Sequence, residues 1–333
     1  MELQEYLKTI HSERKKNFLR TAQEMEIKVE LISDYFRVLR LTNNNKSKLL
    51  YKENFFLNKK PSTLFTKNKE LTKVILRKNK LTVPKGVFSD NYRESLELLE
   101  KNKISYPVVI KPIDAAKGVG VSIGIRNTKE AKKAIKKVAS SIKKNKLKSS
   151  GMFMIEETAE GGDFRVLVLK GRVIACVERV PAHIFGDGKS NIKKLIEDFN
   201  AKRPPAYIIK KDKDLIKKLK ENKLNLKSTP KKGKKIILRD NANISSGGIA
   251  VDKTNDISKR FSDIAIRSAS ALGLNYAGID IMTRDITSES EKDKYFIIEI
   301  NGAPDYDIHE RPVIQGPGVN VTKLLVKAFM NLD

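Results

Sequence analysis

The chain has 333 residues, 40% of them hydrophobic, enough to bury a substantial core and to build two or three compact units. Its formal charge of +27, from 67 basic and 40 acidic residues, fits either a polyanion-binding surface or a lysine-rich solvated one. The single cysteine, Cys176, excludes an intrachain disulfide and a cysteine-built zinc site. No run reaches the roughly 18 apolar residues of a membrane span. The opening "MELQEYLKTIHSERKKN" lacks the apolar stretch of a signal peptide. A cytoplasmic protein without a membrane partner is expected. Trp is absent and aromatic and basic residues do not interleave, so nucleic acid is not the expected partner despite the charge.

In chain order, Leu3, Leu7, Ile10, Phe18, Ala22 and Met25 recur near helical spacing. "IKVELI" then alternates like a strand, and "TNNNKS" reads as a turn between two extended runs. "KNKELTKVILRKNKLTVPKGVF" predicts a helix punctuated by Pro84 and Gly86 before an extended exit, and "RESLELLEKNK" a further helix. "YPVVIKPIDAAKGVGVSIGI" reads as strand, glycine-bearing loop and strand, followed by a helix with a Thr128 cap. "GMFMIEETAEGGDFRVLVLKGRVIACVERVPA" holds at least two strands with glycine turns. A helix near "SNIKKLIEDFNAKR" and a lysine-rich connecting segment lead to "KKIILRDNANISSGGIAVD". Phe261, Ile264, Ala265, Ala269 and Leu272 share one face of a helix ending at Gly273. The strands "AGIDIMTRDI" and "YFIIEI" and a last helix "NVTKLLVKAFM" complete the chain.

Four stretches carry candidate chemistry. In "YFIIEIN", Glu299 and Asn301 lie two apart and share a strand face, with Ile298 and Ile300 expected on the other. Asp280 interrupts "GIDIM" in the same way, and two carboxylates with an amide oxygen suit Mg²⁺. A strand-end ion pair between Glu299 and a lysine is the other reading. Lys111 ends an apolar strand before Gly118 and Gly120, whose small size lets backbone N–H groups approach phosphate. The spacing is neither a Walker loop nor a dinucleotide fingerprint, and an ordinary hairpin loop is the alternative. Glu156, Glu157, Thr158 and Ala159 end an apolar strand and offer backbone groups to an adenine edge. Asp163 beyond the glycines could accept from a ribose, or pair with Arg165 on its own face. Arg239, Asn241 and Asn243 alternate ahead of Gly247-Gly248, as donors for a developing oxyanion or as a polar turn.

In this order the four stretches resemble the ATP-grasp superfamily. More narrowly, "DFRVLVLKGRVIACVERVPAHIFGDGKSNIKKLIEDFN", "NANISSGGIAVDKTND" and "AGIDIMTRDI" are similar to the ATP-grasp module of cyanophycin synthetase and of bifunctional glutamate-cysteine ligase/glutathione synthetase. The resemblance covers roughly residues 66 to 330. It implies an α+β ATP-grasp fold, two lobes clasping ATP behind a small N-terminal α/β pre-grasp domain, divided at residues 1–65, 66–155 and 156–333. It implies that Lys73 and Lys111 contact ATP phosphates and that the 114–120 loop, with Lys117, Gly118, Val119 and Gly120, covers them. Glu156, Glu157 and Ala159 would line the adenine hinge and Asp163 would hold the ribose. Asp280, Glu299 and Asn301 would bind one or, by preference, two Mg²⁺, with Mn²⁺ as a substitute. Arg165, Arg179, Arg239 and Asn241 would face the substrate carboxylate or the transferring phosphoryl group. The function implied is an ATP-dependent carboxylate-amine ligase acting through an acyl phosphate on an amino acid or small peptide. An amino-acid polymer ligase is the alternative, and a basic polyanion-binding protein on the same scaffold is the reading from another class. A homodimer is left open. Two departures from the family pattern lie near where substrates sit. Asp305 follows Pro304 where many relatives have glycine, with His309 beyond, and the loop reads "DAAKGVG" without the usual asparagine.

Overall fold

The computed structural model describes residues 3–52, 54–113, 120–144, 151–310 and 313–332. Its first and last segments share one core. Helices α1 (Leu3–Thr9) and α2 (Glu13–Glu24) bury Tyr6, Leu7, Phe18, Leu19 and Ala22. Against them lies an antiparallel sheet of β1 (Lys28–Ser33), β2 (Val38–Asn43) and β3 (Lys46–Tyr51), which turns Leu39, Leu41 and Leu50 inward. A unit this small buries little surface by itself, and its core is shared with the rest of the chain. Leu167, Leu169, Tyr276 and Tyr306 complete it, together with Val321, Leu325, Val326 and Phe329 of the last helix, α10 (Val321–Met330). Phe18 stacks on Phe55 at 4.5 Å and meets Phe329 edge-on at 6.0 Å.

After α3 (Lys60–Phe65) and α4 (Lys69–Lys78), a four-stranded antiparallel sheet runs in the order β4-β7-β5-β6. Its strands are β4 (Gly86–Ser89), β5 (Val108–Pro112), β6 (Ser122–Ile125) and β7 (Phe153–Glu157). Helices α5 (Tyr92–Lys101) and α6 (Thr128–Lys144) cover it through Leu99, Ala131, Ala134 and Val138. The α6 cap lies one residue earlier than expected: the Asn127 side chain accepts from the Glu130 N–H at 3.0 Å, leaving Thr128 as the first helical residue.

The largest sheet has six strands in the order β14-β13-β8-β9-β12-β15. These are β8 (Gly162–Leu169), β9 (Arg172–Val180), β12 (Ile249–Asp252), β13 (Tyr276–Thr283), β14 (Tyr295–Asn301) and the short β15 (Ile314–Gln315), parallel only where β12 meets β15. Helix α9 (Lys259–Ala271) covers one face, packing Phe261, Ile264, Ala265 and Ala269 against Phe164, Val166, Val168, Ile279 and Ile281. Residues alternating with these face the other way: Leu167 and Leu169 enter the N-terminal core, and Asp163, Arg165 and Asp280 are left on the side away from α9.

Between β9 and β12 the chain builds a small unit with its own core. It holds β10 (His183–Phe185), α7 (Ile192–Asn200), α8 (Lys213–Glu221) and β11 (Lys235–Ile237). Helix α8 lies where a lysine-rich connection was expected. Asp212 caps it by accepting from the Leu215 N–H, and Leu215 and Leu219, one turn apart, are its buried stripe.

One expectation about β14 fails. Asp280 lies opposite Glu299 but Ile281 lies opposite Ile297, so Ile298 is the extra residue of a bulge. Ile297 and Ile300, three apart, both enter the α9 core, so strict alternation is broken between them.

Candidate functional site

Helix α4 stands where the two larger sheets meet. Asn68 caps it, accepting from the Leu71 N–H at 3.0 Å. Lys69 and Lys73, one turn apart on one face, reach in two directions. The Lys69 ammonium lies 3.4 Å from Glu299 on β14, and that of Lys73 pairs with Glu156 on β7. The strand-end ion pair weighed for Glu299 is therefore present.

Lys111, at the end of β5, takes the second oxygen of Glu156. Lys73, Glu156 and Lys111 are 2%, 2% and 5% exposed. Lys73 also lies 3.4 Å from the Met154 sulfur. Burial pushes the Lys73 ammonium down to about 8, with Lys111 adding to the shift and Glu156 opposing it. Burial would raise the Glu156 carboxyl, but the two lysines outweigh it and hold it below the usual carboxylate range. The Glu156 side chain thus faces the lysines, whereas its neighbour Glu157 accepts from the Lys85 N–H at 2.8 Å. Ala159 is buried just beyond. Gly161 follows at φ +121, where a Cβ would fall 2.4 Å from the Thr283 backbone. The expected loop residues Lys117, Gly118 and Val119 lie outside the described residues; Gly120, at φ +75, is within them.

On the open face of the six-stranded sheet, residues directly opposite share a side. Asp163 opposes Arg179, Arg165 opposes Asp280, and Asp280 opposes Glu299. Asp163 pairs with Arg179, at 2.5 Å from Nη2, and not with Arg165. Both Asp280 oxygens are engaged. Oδ1 accepts from Arg165 Nε, and Oδ2 lies 3.1 Å from Arg165 Nη2 and 3.0 Å from Arg179 Nη2. Burial raises the Asp280 carboxyl, yet Arg165 and Arg179 hold it below its ordinary value. Gly278 sits beside this cluster because a Cβ there would meet the Pro304 Cβ at 2.8 Å and Arg165 Cδ at 3.1 Å.

Asp280, Glu299 and Asn301 therefore share one face, as the strand pattern predicts. Among the described residues no group of three or more His, Cys, Asp and Glu side chains forms a metal cage. The donor set of two carboxylates and an amide nevertheless fits Mg²⁺, which keeps waters and phosphate oxygens as its other ligands. Asn301 Nδ2 is buried with no partner, and the Glu299 side chain is 31% exposed.

Arg239 is placed differently from the expectation. Its guanidinium grips Asp212, at 2.7 and 2.8 Å, and the Lys210 carbonyl at 2.9 Å. It ties β11 to the start of α8, a partner invisible in the sequence because α8 was read as a connection. Asn241 Oδ1 accepts from the Asn243 N–H at 3.2 Å and Ser246 Oγ at 3.0 Å, shaping the polar turn weighed for that segment.

Asp305 pairs with Arg14 of α2, and the Arg14 guanidinium lies 5.6 Å from the centre of the Tyr306 ring. The N-terminal helices thereby reach the segment beyond Asn301.

The RimK-like ATP-grasp domain family matches residues 66–197 and 233–328. The chain belongs to this family. The ATP-grasp fold and its α+β character, expected from the sequence, are borne out. Cyanophycin synthetase from Synechocystis sp. is 37% identical over 252 residues, which span 74% of this chain and 28% of that protein. The glutathione biosynthesis bifunctional protein GshAB from Clostridium perfringens is 34% identical over 260 residues, spanning 74% and 32%. The chain thus spans about a third or less of the length of these curated relatives. A solved bifunctional glutathione synthetase from Pasteurella multocida shares the fold, with a TM-score of 0.70 over 96% of this chain and 44% of that one at 24% identity. Residues 198–232, holding the end of α7 and all of α8, fall outside the family match. No helix among the described residues is long and apolar enough to cross a membrane.

Proposed function

We propose that this RimK-like ATP-grasp chain is an ATP-dependent carboxylate-amine ligase that uses ATP and Mg²⁺ to activate a carboxylate as an acyl phosphate, which an amine then converts to an amide. The observation that carries this reading is the pair of clusters on either side of α4: two buried lysines on Glu156, and a strip of Arg165, Arg179, Asp280, Glu299 and Asn301. Lys73 and Lys111 would turn from Glu156 to phosphate oxygens. The backbone from Glu156 to Ala159 would meet the adenine edge, with Asp163 at the ribose. Glu299, Asn301 and Asp280 would hold Mg²⁺, which would supply charge neutralisation on the phosphates. Asp280 would take that part by exchanging contacts with Arg165 and Arg179, freeing those guanidiniums for the substrate carboxylate and the tetrahedral oxyanion. Arg239 would act indirectly, by holding the inserted unit.

The substrates proposed are an amino acid or small peptide on each side of the new bond. Repeated addition to a growing polymer is the second reading, favoured by the 37% identity to a cyanophycin synthetase. Purified protein with ATP, Mg²⁺ and pools of amino acids and dipeptides tests both through phosphate release and product mass. One condensed product supports the first, and a ladder of masses the second. No ADP from any pool, or a stable phosphorylated product with no amine requirement, would overturn the ligase reading.

A further inference from the structure

Away from α4, the described residues form a surface cavity of about 370 Å³, within the usual size of a small-molecule site. The N-terminal unit supplies one wall, with Lys48 and Leu49 on β3 and Phe56 and Leu57 just after it. The other wall holds Lys170 in the turn between β8 and β9, Asn275 ahead of β13, and Phe329 of α10. Consecutive strand side chains point to opposite faces. A cavity reached by both Lys48 and Leu49 therefore runs along the edge of β3, which has no strand beyond it. Hydrogen bonds fix the walls to each other: Asn275 Nδ2 donates to the Leu57 carbonyl at 3.1 Å, and the Lys170 N–H to the Asn275 carbonyl at 2.6 Å. Lys170 follows β8 at the end opposite Asp163, roughly 20 Å along the strand, so the cavity is separate from the Arg165 and Asp280 strip.

The lining combines cations with bare apolar surface. Leu49 and Phe56 are 63% and 71% exposed, and the Lys48 ammonium lies 5.4 Å from the centre of the Phe329 ring. Among the described residues no carboxylate lines the cavity. Burial lowers the Lys48 ammonium below its ordinary value, and Lys170 and Lys46 lower it further, so three like charges act on one another here. Lysines near a helix C-terminus complement its dipole. That accounts for Lys46, which donates to the Asn331 carbonyl at 3.3 Å just past α10, but not for Lys170 in a separate turn or for the exposed Phe56 ring.

We infer that this cavity binds a small organic anion, with its carboxylate or phosphate between Lys48 and Lys170 and its apolar or aromatic body against Leu49, Phe56 and Phe329. The anion offsets the repulsion among the lysines and accepts charge-assisted hydrogen bonds from them. Its body removes Leu49 and Phe56 from water. A bare inorganic ion leaves those two side chains wet, and a neutral apolar molecule leaves the lysines facing one another.

The probe is anilinonaphthalene sulfonate, an aromatic anion whose fluorescence rises in apolar surroundings, titrated into the full chain with a non-hydrolysable ATP analogue and Mg²⁺ present. Saturable binding is expected, with Kd rising at least tenfold when Lys48→Gln and Lys170→Asn are combined. Asparagine suits position 170, where φ is +46. Phenylnaphthylamine, which has the same rings without the sulfonate, should bind at least tenfold more weakly. No saturation, an unchanged Kd in the double variant, or equal binding of the neutral dye would overturn the inference. Displacement by phenyl phosphate or by phenylacetate supports it, and the stronger of the two names the head group. Inorganic phosphate displacing the dye as well as phenyl phosphate does would overturn the need for an apolar body. If the double variant does not fold, wild type at about 0.05 and 0.5 M salt answers instead, since an ion pair to the lysines weakens with salt and an affinity indifferent to it would overturn the site.

Discussion

At the scale of single residues, Lys73 carries a pH signature. Its folded value of about 8 lies below the ordinary 10.5 because burial disfavours the charge. Between those two values the unfolded chain binds more protons than the folded one, so stability contributed through Lys73 rises with pH across that window. The shift corresponds to about 3 kcal/mol. Denaturant unfolding at intervals from pH 7 to 10.5 should show a steeper rise for wild type than for Lys73→Met; equal slopes would contradict the buried placement. Two acidic residues of the strip separate in the same experiment. Asp280→Asn leaves Arg165 without its carboxylate and Arg179 with Asp163 alone, and should cost about 3–5 kcal/mol of stability, a fold effect that no reading of "GIDIM" could reveal. Glu299→Gln, at a partly exposed position, should change stability by about 1 kcal/mol or less. If the proposed Mg²⁺ role holds, that variant should still lose about 100-fold or more in turnover. Wild-type ligase rates for Glu299→Gln would remove the metal assignment.

At the scale of elements, Arg239→Lys replaces a two-pronged grip on Asp212 with a single point of contact. The loss should be about 1–3 kcal/mol, confined to the inserted unit. Hydrogen exchange should therefore accelerate over α8 and β11 before it does over β13; uniform acceleration would show that the unit does not open by itself. Elements also show what could be read beforehand. The apolar runs of β5, β7, β13 and β14 and the α9 stripe were legible because their periods and bounding turns agree. Helix α8 was not, since lysines outnumber its two buried leucines and mask the spacing of Leu215 and Leu219. The β14 bulge was invisible for another reason. "YFIIEIN" satisfies regular alternation, and only pairing with β13 forces the extra residue at Ile298. The candidate site was legible as residue types on shared strand faces. Its pairings were not, because Asp163 and Arg165 lie two apart in sequence yet each finds its partner across the sheet.

At the scale of the whole molecule, the N-terminal helices, the six-stranded sheet and α10 share one apolar core. Phe18→Ala should cost about 3–5 kcal/mol and lower the unfolding midpoint reported by probes in both the first and the last hundred residues together. Two separate midpoints would mean that the shared core does not couple them. The same contact sets an order of events during synthesis. Residues 3 to 51 leave the ribosome long before Val321, Leu325 and Phe329, so their apolar side chains wait through the translation of everything between before the surface that shelters them exists. Nascent chains halted short of α10 should therefore be the species that chaperones hold and proteases clip.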